Sequence, residues 1–173
     1  MKETTLEEAH HRLFGRPWLL GRYHFDFLRE QGLRRTDRVL DYGCGSGRTG
    51  IHLIRYLDPG KYVGVDPDMA RIEAFATYEV ALHGLHDKDP TILAGVTPPG
   101  PPGDFDVVLD LFVIAHLRGG ARAEAEKRVK AALRSGGLLA RLGIKPVTHT
   151  TPAPAFTGTR WGDKLRWNLW RKP

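Results

Sequence analysis

RVLDYGCGSGRTGIHLIRYL at 38–57, followed by VGVDP at 63–67, decides how the chain folds. The apolar pair Val39 and Leu40 ends in Asp41 and a turn holding Gly43, Gly45 and Gly47. Beyond the turn Ile51, Ile54 and Leu57 recur at helical spacing, which predicts strand, glycine turn and helix. A second short strand, Tyr62 to Val65, ends in Asp66. Glycines let a backbone approach a ligand closely, and a helix N-terminus favours negative charge. An acid at the tip of the next strand suits a ribose diol. The pattern implies a cradle for a nucleoside-bearing cofactor.

Spacing narrows the cofactor. The dinucleotide fingerprint G-x-G-x-x-G needs a glycine at position 48, where this chain has Arg48. Here an acid precedes the glycines, as D-x-G-x-G-x-G. That form resembles motif I of the class I S-adenosylmethionine (SAM)-dependent methyltransferases, and Asp66 matches their second-strand acid. The resemblance implies that Asp41 and the turn hold the methionine end of SAM and Asp66 the ribose hydroxyls. The cofactor-binding set expected on it is Asp41, Tyr42, Gly43, Cys44, Gly45, Gly47, Asp66, Pro67, Gly95 and Asp110.

A chain of 173 residues is expected to form one domain with one core. Its expected parts are an N-terminal helical segment over the site (1–32), a SAM-binding core (36–143), and a loop with a terminal hairpin (144–173). The longest apolar stretch, Val107 to Leu117, is broken by Asp110 and His116 and is too short to span a bilayer. The start, MKETTLEEAHH, is unlike a signal or transit peptide, so a soluble cytoplasmic protein is expected. The single Cys44 excludes an internal disulfide and reads as a small packing residue. Net charge is +6, but the basic residues are dispersed with no run longer than two, which reads as solvated surface or, alternatively, a nucleic-acid footprint.

In chain order, Thr4 to Leu13 predicts a short helix with a capping-box spacing at Thr5 and Glu8. After a break at Gly15 to Pro17, a second helix runs from about Arg22 to Gln31, stopped by Gly32. Trp18 and Tyr23 are candidates for core packing or for acceptor contact. Asp66-Pro67 reads as the start signal of a further helix with a buried stripe of Met69, Ile72, Ala76 and Val80. His83 and His86 with Asp87 lack a third or fourth partner, and no metal is expected. A strand at Thr91 to Ala94 leads into the proline loop GVTPPGPPGDF.

Phe105 to Leu117 reads as a buried strand turning into a helix, and it resembles methyltransferase motif IV. Asp110 ends that strand, at the edge where parallel sheets bind ligands. The Asn/Asp-Pro-Pro-aromatic box of nucleic-acid amino-methyltransferases is replaced here by Asp110-Leu111-Phe112-Val113. His116 is the candidate general base, with helix capping or packing as the alternative. Ala121 to Leu133 predicts a helix stopped by Ser135-Gly136-Gly137, and Leu138 to Leu142 the next strand. Residues 145–155 read as a loop. The tail predicts a hairpin about Gly162-Asp163 whose tryptophans, Trp161, Trp167 and Trp170, either bury one aromatic face or stack on bases.

Matches to the family run from about residue 14 to 142. The motif LDxGCGxxRxGxxLIxYL, with YVGVD and EVALHGLHDKDP, resembles a bacterial group with mostly unassigned acceptors. The family usually carries an acid after the third strand to accept the adenine amino group, whereas Ala94 and Gly95 offer only backbone. The expected fold is α/β, a Rossmann-like and mostly parallel sheet with helices on both faces, an antiparallel C-terminal hairpin and a shortened C-terminus. The expected reaction is SN2 transfer of a methyl group from SAM to a small-molecule oxygen, nitrogen or carbon, with His116 and Asp110 as catalytic candidates. Alternatives are RNA methylation and an inactive SAM-binding or partner-binding protein; the sequence leaves the oligomeric state open.

Overall fold

The computed structural model describes residues 17–143, 150–152 and 166–173. Helix α1 (Pro17–Glu30) is followed by β1 (Val39–Tyr42), α2 (Gly50–Tyr56), β2 (Tyr62–Asp66) and α3 (Met69–Glu73). A π-helical stretch (Ala74–Glu79) then runs into α4 (Val80–Leu82), ahead of β3 (Thr91–Ala94), β4 (Phe105–Leu111) and α5 (Val113–His116). A short 3-10 turn (His86–Lys88) precedes β3, and helix α6 (Gly119–Ala132), β5 (Leu133–Gly143), β6 (Thr150–Pro152) and β7 (Arg166–Arg171) complete the described elements. The architecture is α/β, with parallel strands and an antiparallel C-terminal pair.

The chain forms two compact units, one holding residues up to Asp37 and Gly43–Val96, the other Arg38–Tyr42 and the residues from Thr97 onward. In the first, β2 and β3 pair in parallel, with Asp66 opposite Ala94. Every residue of β2 is buried, as expected for a parallel strand covered on both faces. Helix α1 lies on α2 and on the residues just before it. His24 bonds the Thr49 hydroxyl at 3.0 Å, and Phe25 stacks on His52. Gly21 explains the closeness of that approach: a Cβ there would stand 1.8 Å from the carbonyl oxygen of Arg48.

In the second unit the strand order is β1-β4-β5-β7-β6. Strands β1, β4 and β5 are parallel, and β7 is antiparallel to both β5 and β6. Val39, Leu40, Phe105, Val108, Leu109 and Ala140 are fully buried. Each large aliphatic among them contributes roughly 1.5–3 kcal/mol by leaving water. Trp167 on β7 is also fully buried, whereas Trp170, three residues on, is half-exposed under the Lys130 ammonium.

Four expectations are corrected by physical detail. Helix α1 begins at Pro17 rather than near Arg22, because proline is well suited to a first helical position. The cap after β2 falls on Asp68, whose Oδ1 accepts from the Ala70 and Arg71 amides, so Asp66 is not the helix cap. Met69, at the first position of α3, is exposed, and the π-helical stretch that follows turns Phe75 and Glu79 inward alongside Val80 and leaves Ala76 half-buried. Thr150–Pro152, expected within a loop, pairs with β7 as an edge strand. The helix expected at Thr4–Leu13 and the turn at Gly162-Asp163 lie outside the described residues.

Gly21→Ala tests the docking of α1. Alanine is the better helix former by about 1 kcal/mol. The clash with Arg48 should nevertheless make the variant less stable by about 1–3 kcal/mol in a denaturant melt. A stabilised variant would contradict the packing of α1 on α2.

Candidate functional site

The glycine turn between β1 and α2 is the centre of the first unit. Gly43, Gly45 and Gly47 all have left-handed backbones, with φ of 82°, 55° and 87°. L-residues with a Cβ adopt that region only at a cost, so glycine is required three times within five residues. The turn thereby points its amides at the tip of β2. Gly43 and Cys44 N–H both donate to the Val65 carbonyl, at 2.7 and 3.1 Å. Gly45 N–H donates to Oδ2 of Asp66 at 3.0 Å, and Asp68 N–H donates to its Oδ1 at 2.9 Å.

Gly47 and Gly50 also serve packing. A Cβ at Gly47 would meet the Phe75 ring at 2.3 Å, and one at Gly50 would meet the same ring at 2.4 Å. A Cβ at Gly45, by contrast, would meet only the Arg71 side chain, at 4.0 Å. The turn is therefore closed by Phe75 on one side and open in front of Gly45. Cys44 is buried with its sulfur facing the Gly45 carbonyl at 3.7 Å, as a packing residue would be. Arg48 is half-buried; burial, and then the neighbouring charge of Arg71, lower its pKa.

The first unit thus brings together Gly43, Cys44, Gly45, Gly47, Asp66 and Gly95, whose N–H donates to the Asp66 main-chain oxygen at 2.9 Å. Pro67 follows Asp66 and is exposed. His83 pairs with buried Glu79 at 3.3 Å, although burial outweighs Glu79 and lowers its pKa. Among the described residues no group of three or more His, Cys, Asp and Glu could hold a metal ion.

In the second unit Asp41 and Tyr42 are buried at the end of β1, and Tyr42 is the register partner of Asp110. Asp110 is fully buried and fully engaged. Its Oδ1 accepts from the amides of Val113 and Ile114 at 3.0 and 3.1 Å, and its Oδ2 accepts from Arg141 at 2.8 Å. Burial raises its pKa, opposed by Arg141 and by the helix amides. These bonds cap α5 and hold Phe112 in a left-handed conformation at φ 69°, a strain of about 1–2 kcal/mol for a residue with a Cβ. His116 is exposed at the end of α5. Asp110 does not bond it, having its oxygens committed elsewhere.

Arg141 escaped the sequence reading. A lone arginine inside the apolar run LLARL of a buried strand was the available signal, since such a charge needs a partner. His24 was missed too. It is 2% exposed, and its pKa is lowered from 6.5 to about 3, by burial first and then by Arg48 and His52.

Residues 40–139 match the family profile described as a methyltransferase domain. The ribosomal protein L11 methyltransferase of Ralstonia nicotianae is 30% identical over 144 residues, 82% of this chain and 42% of that protein. That of Methylobacillus flagellatus is 36% identical over 106 residues, 61% of this chain and 32% of that protein. The chain spans less than half the length of these curated relatives. Among solved structures, magnesium protoporphyrin IX methyltransferase from Synechocystis PCC 6803 with bound SAM superposes with a TM-score of 0.69 at 14% identity, covering 100% of this chain and 86% of that one. A SAM-dependent methyltransferase from Aquifex aeolicus gives 0.59 at 20% identity, covering 75% and 69%. At these identities the likeness shows the fold, the Rossmann-like α/β fold of class I methyltransferases.

Two stability measurements follow from these charges. His24 is neutral in the native chain down to about pH 3, whereas an unfolded histidine takes a proton near 6.5. Its contribution is complete above 6.5 and is lost as pH falls, by up to about 2.7 kcal/mol between pH 6.5 and 4.5. His24→Gln should flatten that acid slope in urea melts; an unchanged slope would locate the titration elsewhere. Arg141→Met strands the Asp110 carboxylate and should cost about 3–5 kcal/mol at neutral pH. Because the carboxyl pKa is raised in the fold, protonation relieves the variant, and its deficit against the parent should shrink as pH falls.

Proposed function

The chain belongs to the family of SAM-dependent methyltransferase domains, and from that premise we propose that its glycine turn and Asp66 hold SAM for methyl transfer to a small-molecule nucleophile. The observation that carries the reading is the open face of Gly45 beside a carboxylate fixed at the tip of β2. A cofactor can lie close against the main chain there, with Arg71 the nearest side chain to a Cβ at Gly45. Each carboxylate oxygen of Asp66 accepts one amide and has a further lone pair, so two ribose hydroxyls can still be accepted.

When bound, SAM supplies a methyl group already activated by its sulfonium charge. The protein's task is alignment and exclusion of water, with a base only where the acceptor must lose a proton. Asp41, with the turn it leads into, is assigned to the methionine end. Asp110 acts as a positioning residue, because both its oxygens tie chain segments together, Oδ1 to Val113 and Ile114 and Oδ2 to Arg141. Its work is to fix the turn at Phe112 and so the start of α5. His116, exposed at the far end of α5, is the side chain assigned to accept a proton from the nucleophile.

The small-molecule reading draws support from what the described surface lacks as a nucleic-acid footprint. Trp167 is buried and unavailable for stacking. Arg22, Arg34, Arg35, Arg38, Arg134 and Arg141 are each paired with an aspartate. A second reading, a protein acceptor, is favoured by the likeness to ribosomal protein L11 methyltransferases.

Titration calorimetry with SAM and its demethylated product, S-adenosylhomocysteine, tests the cofactor assignment. Asp66→Asn should weaken both by roughly tenfold or more, as expected for loss of a charged acceptor. Binding unchanged by that substitution would remove Asp66 from the site. Supplying methyl-labelled SAM with a small-molecule fraction and, separately, with ribosomal protein tests the acceptor. Label in the low-mass fraction supports the first reading, label in protein the second, and label in neither overturns transfer.

A further inference from the structure

We infer that the cofactor's nucleobase is held at the end of β3 by apolar shape and main chain, its exocyclic 6-amino group unread by any side chain among the described residues. The inference rests on the reading that SAM occupies the glycine turn with its ribose on Asp66. Those two contacts fix a direction. With one end of the ligand on the turn and the ribose on the acid at the tip of β2, the base extends away from the turn. In the first unit the next strand in that direction is β3.

Register brings particular residues there. Ala94 is the partner of Asp66 across the β2–β3 ladder, and the Gly95 N–H is spent on the Asp66 main-chain oxygen at 2.9 Å. The positions directly beside the ribose acid therefore carry a methyl group and a hydrogen atom. The flanking residues are apolar as well. Met69, just after β2, is 67% exposed, and Val96, just after β3, is 40% exposed, with Pro67 exposed between Asp66 and the helix. Single exposed apolar residues need no explanation, but several converging on the tips of two paired strands suit a flat aromatic face.

One carboxylate stands close in sequence, and it is committed. Asp68 Oδ1 accepts from the Ala70 and Arg71 amides, and its Oδ2 pairs with the Arg71 guanidinium at 3.1 Å. An amino group bonded to a carboxylate typically adds roughly ten- to hundredfold in affinity. With no such partner at 94 or 95, that contribution is absent. The site consequently selects its cofactor through the ribose and the amino-acid end and is indifferent to the substituent at the 6-position of the purine.

Calorimetry of the unmodified chain with S-adenosylhomocysteine, its 6-deamino purine analogue and its N6-methyl analogue tests this. The three dissociation constants should agree within about threefold. A deamino analogue more than about tenfold weaker would mean that a side chain reads the amino group and would overturn the inference. If S-adenosylhomocysteine itself fails to bind, the assignment of the turn to SAM falls, and this inference with it. Ala94→Asp supplies the missing acceptor on the exposed end of β3. Once circular dichroism shows the variant folded, it should favour the amino-bearing ligand by roughly tenfold over the deamino one. Unaltered preference in that folded variant would put the base elsewhere and equally overturn the proposal.

Discussion

The first unit depends on how the tip of β2 holds the glycine turn. Two carbonyl bonds from Val65 and one carboxylate bond from Asp66 fix three successive amides, and only left-handed backbones at Gly43 and Gly45 present them. Any side chain at these positions would strain the turn, and one at Gly47 would also strike Phe75. The turn in turn starts α2, which receives α1 at Gly21 and His24. A single backbone requirement thus propagates from the strand tip through two helices. The same carboxylate keeps lone pairs for a ligand, so the group that stabilises the turn is also the group suited to a ribose.

Charge is handled differently in the second unit. Asp110 and Arg141 are a buried pair between neighbouring parallel strands, and such pairs add little net stability while making the loss of either partner costly. What the pair secures is geometry. One carboxylate oxygen caps α5 while the other is tied to β5, and between them the chain is forced through a left-handed Phe112. Strain of this kind persists only where surrounding contacts over-determine it. It concentrates here at the strand end, where parallel α/β sheets place their ligands. The acid at the end of β4 accordingly anchors the start of the segment that carries His116.

Substrate selectivity divides along the same lines. Polar groups are concentrated at Asp66, whereas the residues beside the tips of β2 and β3 are Pro67, Met69, Ala94 and Val96. On the proposed placement of SAM, such an arrangement favours the ribose over the edge of the base, because an apolar wall penalises bulk far more than it penalises a missing hydrogen bond.

Much of this was legible in the residues. The glycine spacing, Asp41 and Asp66 at strand ends, and the apolar periods of β1, β2, β4 and α2 required only local pattern, because backbone conformation and strand burial leave their mark on neighbouring positions. The π-helical turn, the cap at Asp68 and the edge strand at Thr150–Pro152 were not legible. They follow from tertiary packing of Phe75 and Glu79, from a choice between two acids two positions apart, and from pairing with β7 across intervening chain. The sequence alone determined a strand, a glycine turn and a helix suited to a nucleoside, since the turn's chemistry is local, and its resemblance to a known family pointed from there to a Rossmann-like methyltransferase domain. Only the tertiary structure decided that Asp110 is bound to Arg141, that His24 is buried and neutral, and that Trp167 is core. The physical reason is range: a hydrogen bond or a loss of solvent between residues 25 or 31 positions apart leaves no period in the chain.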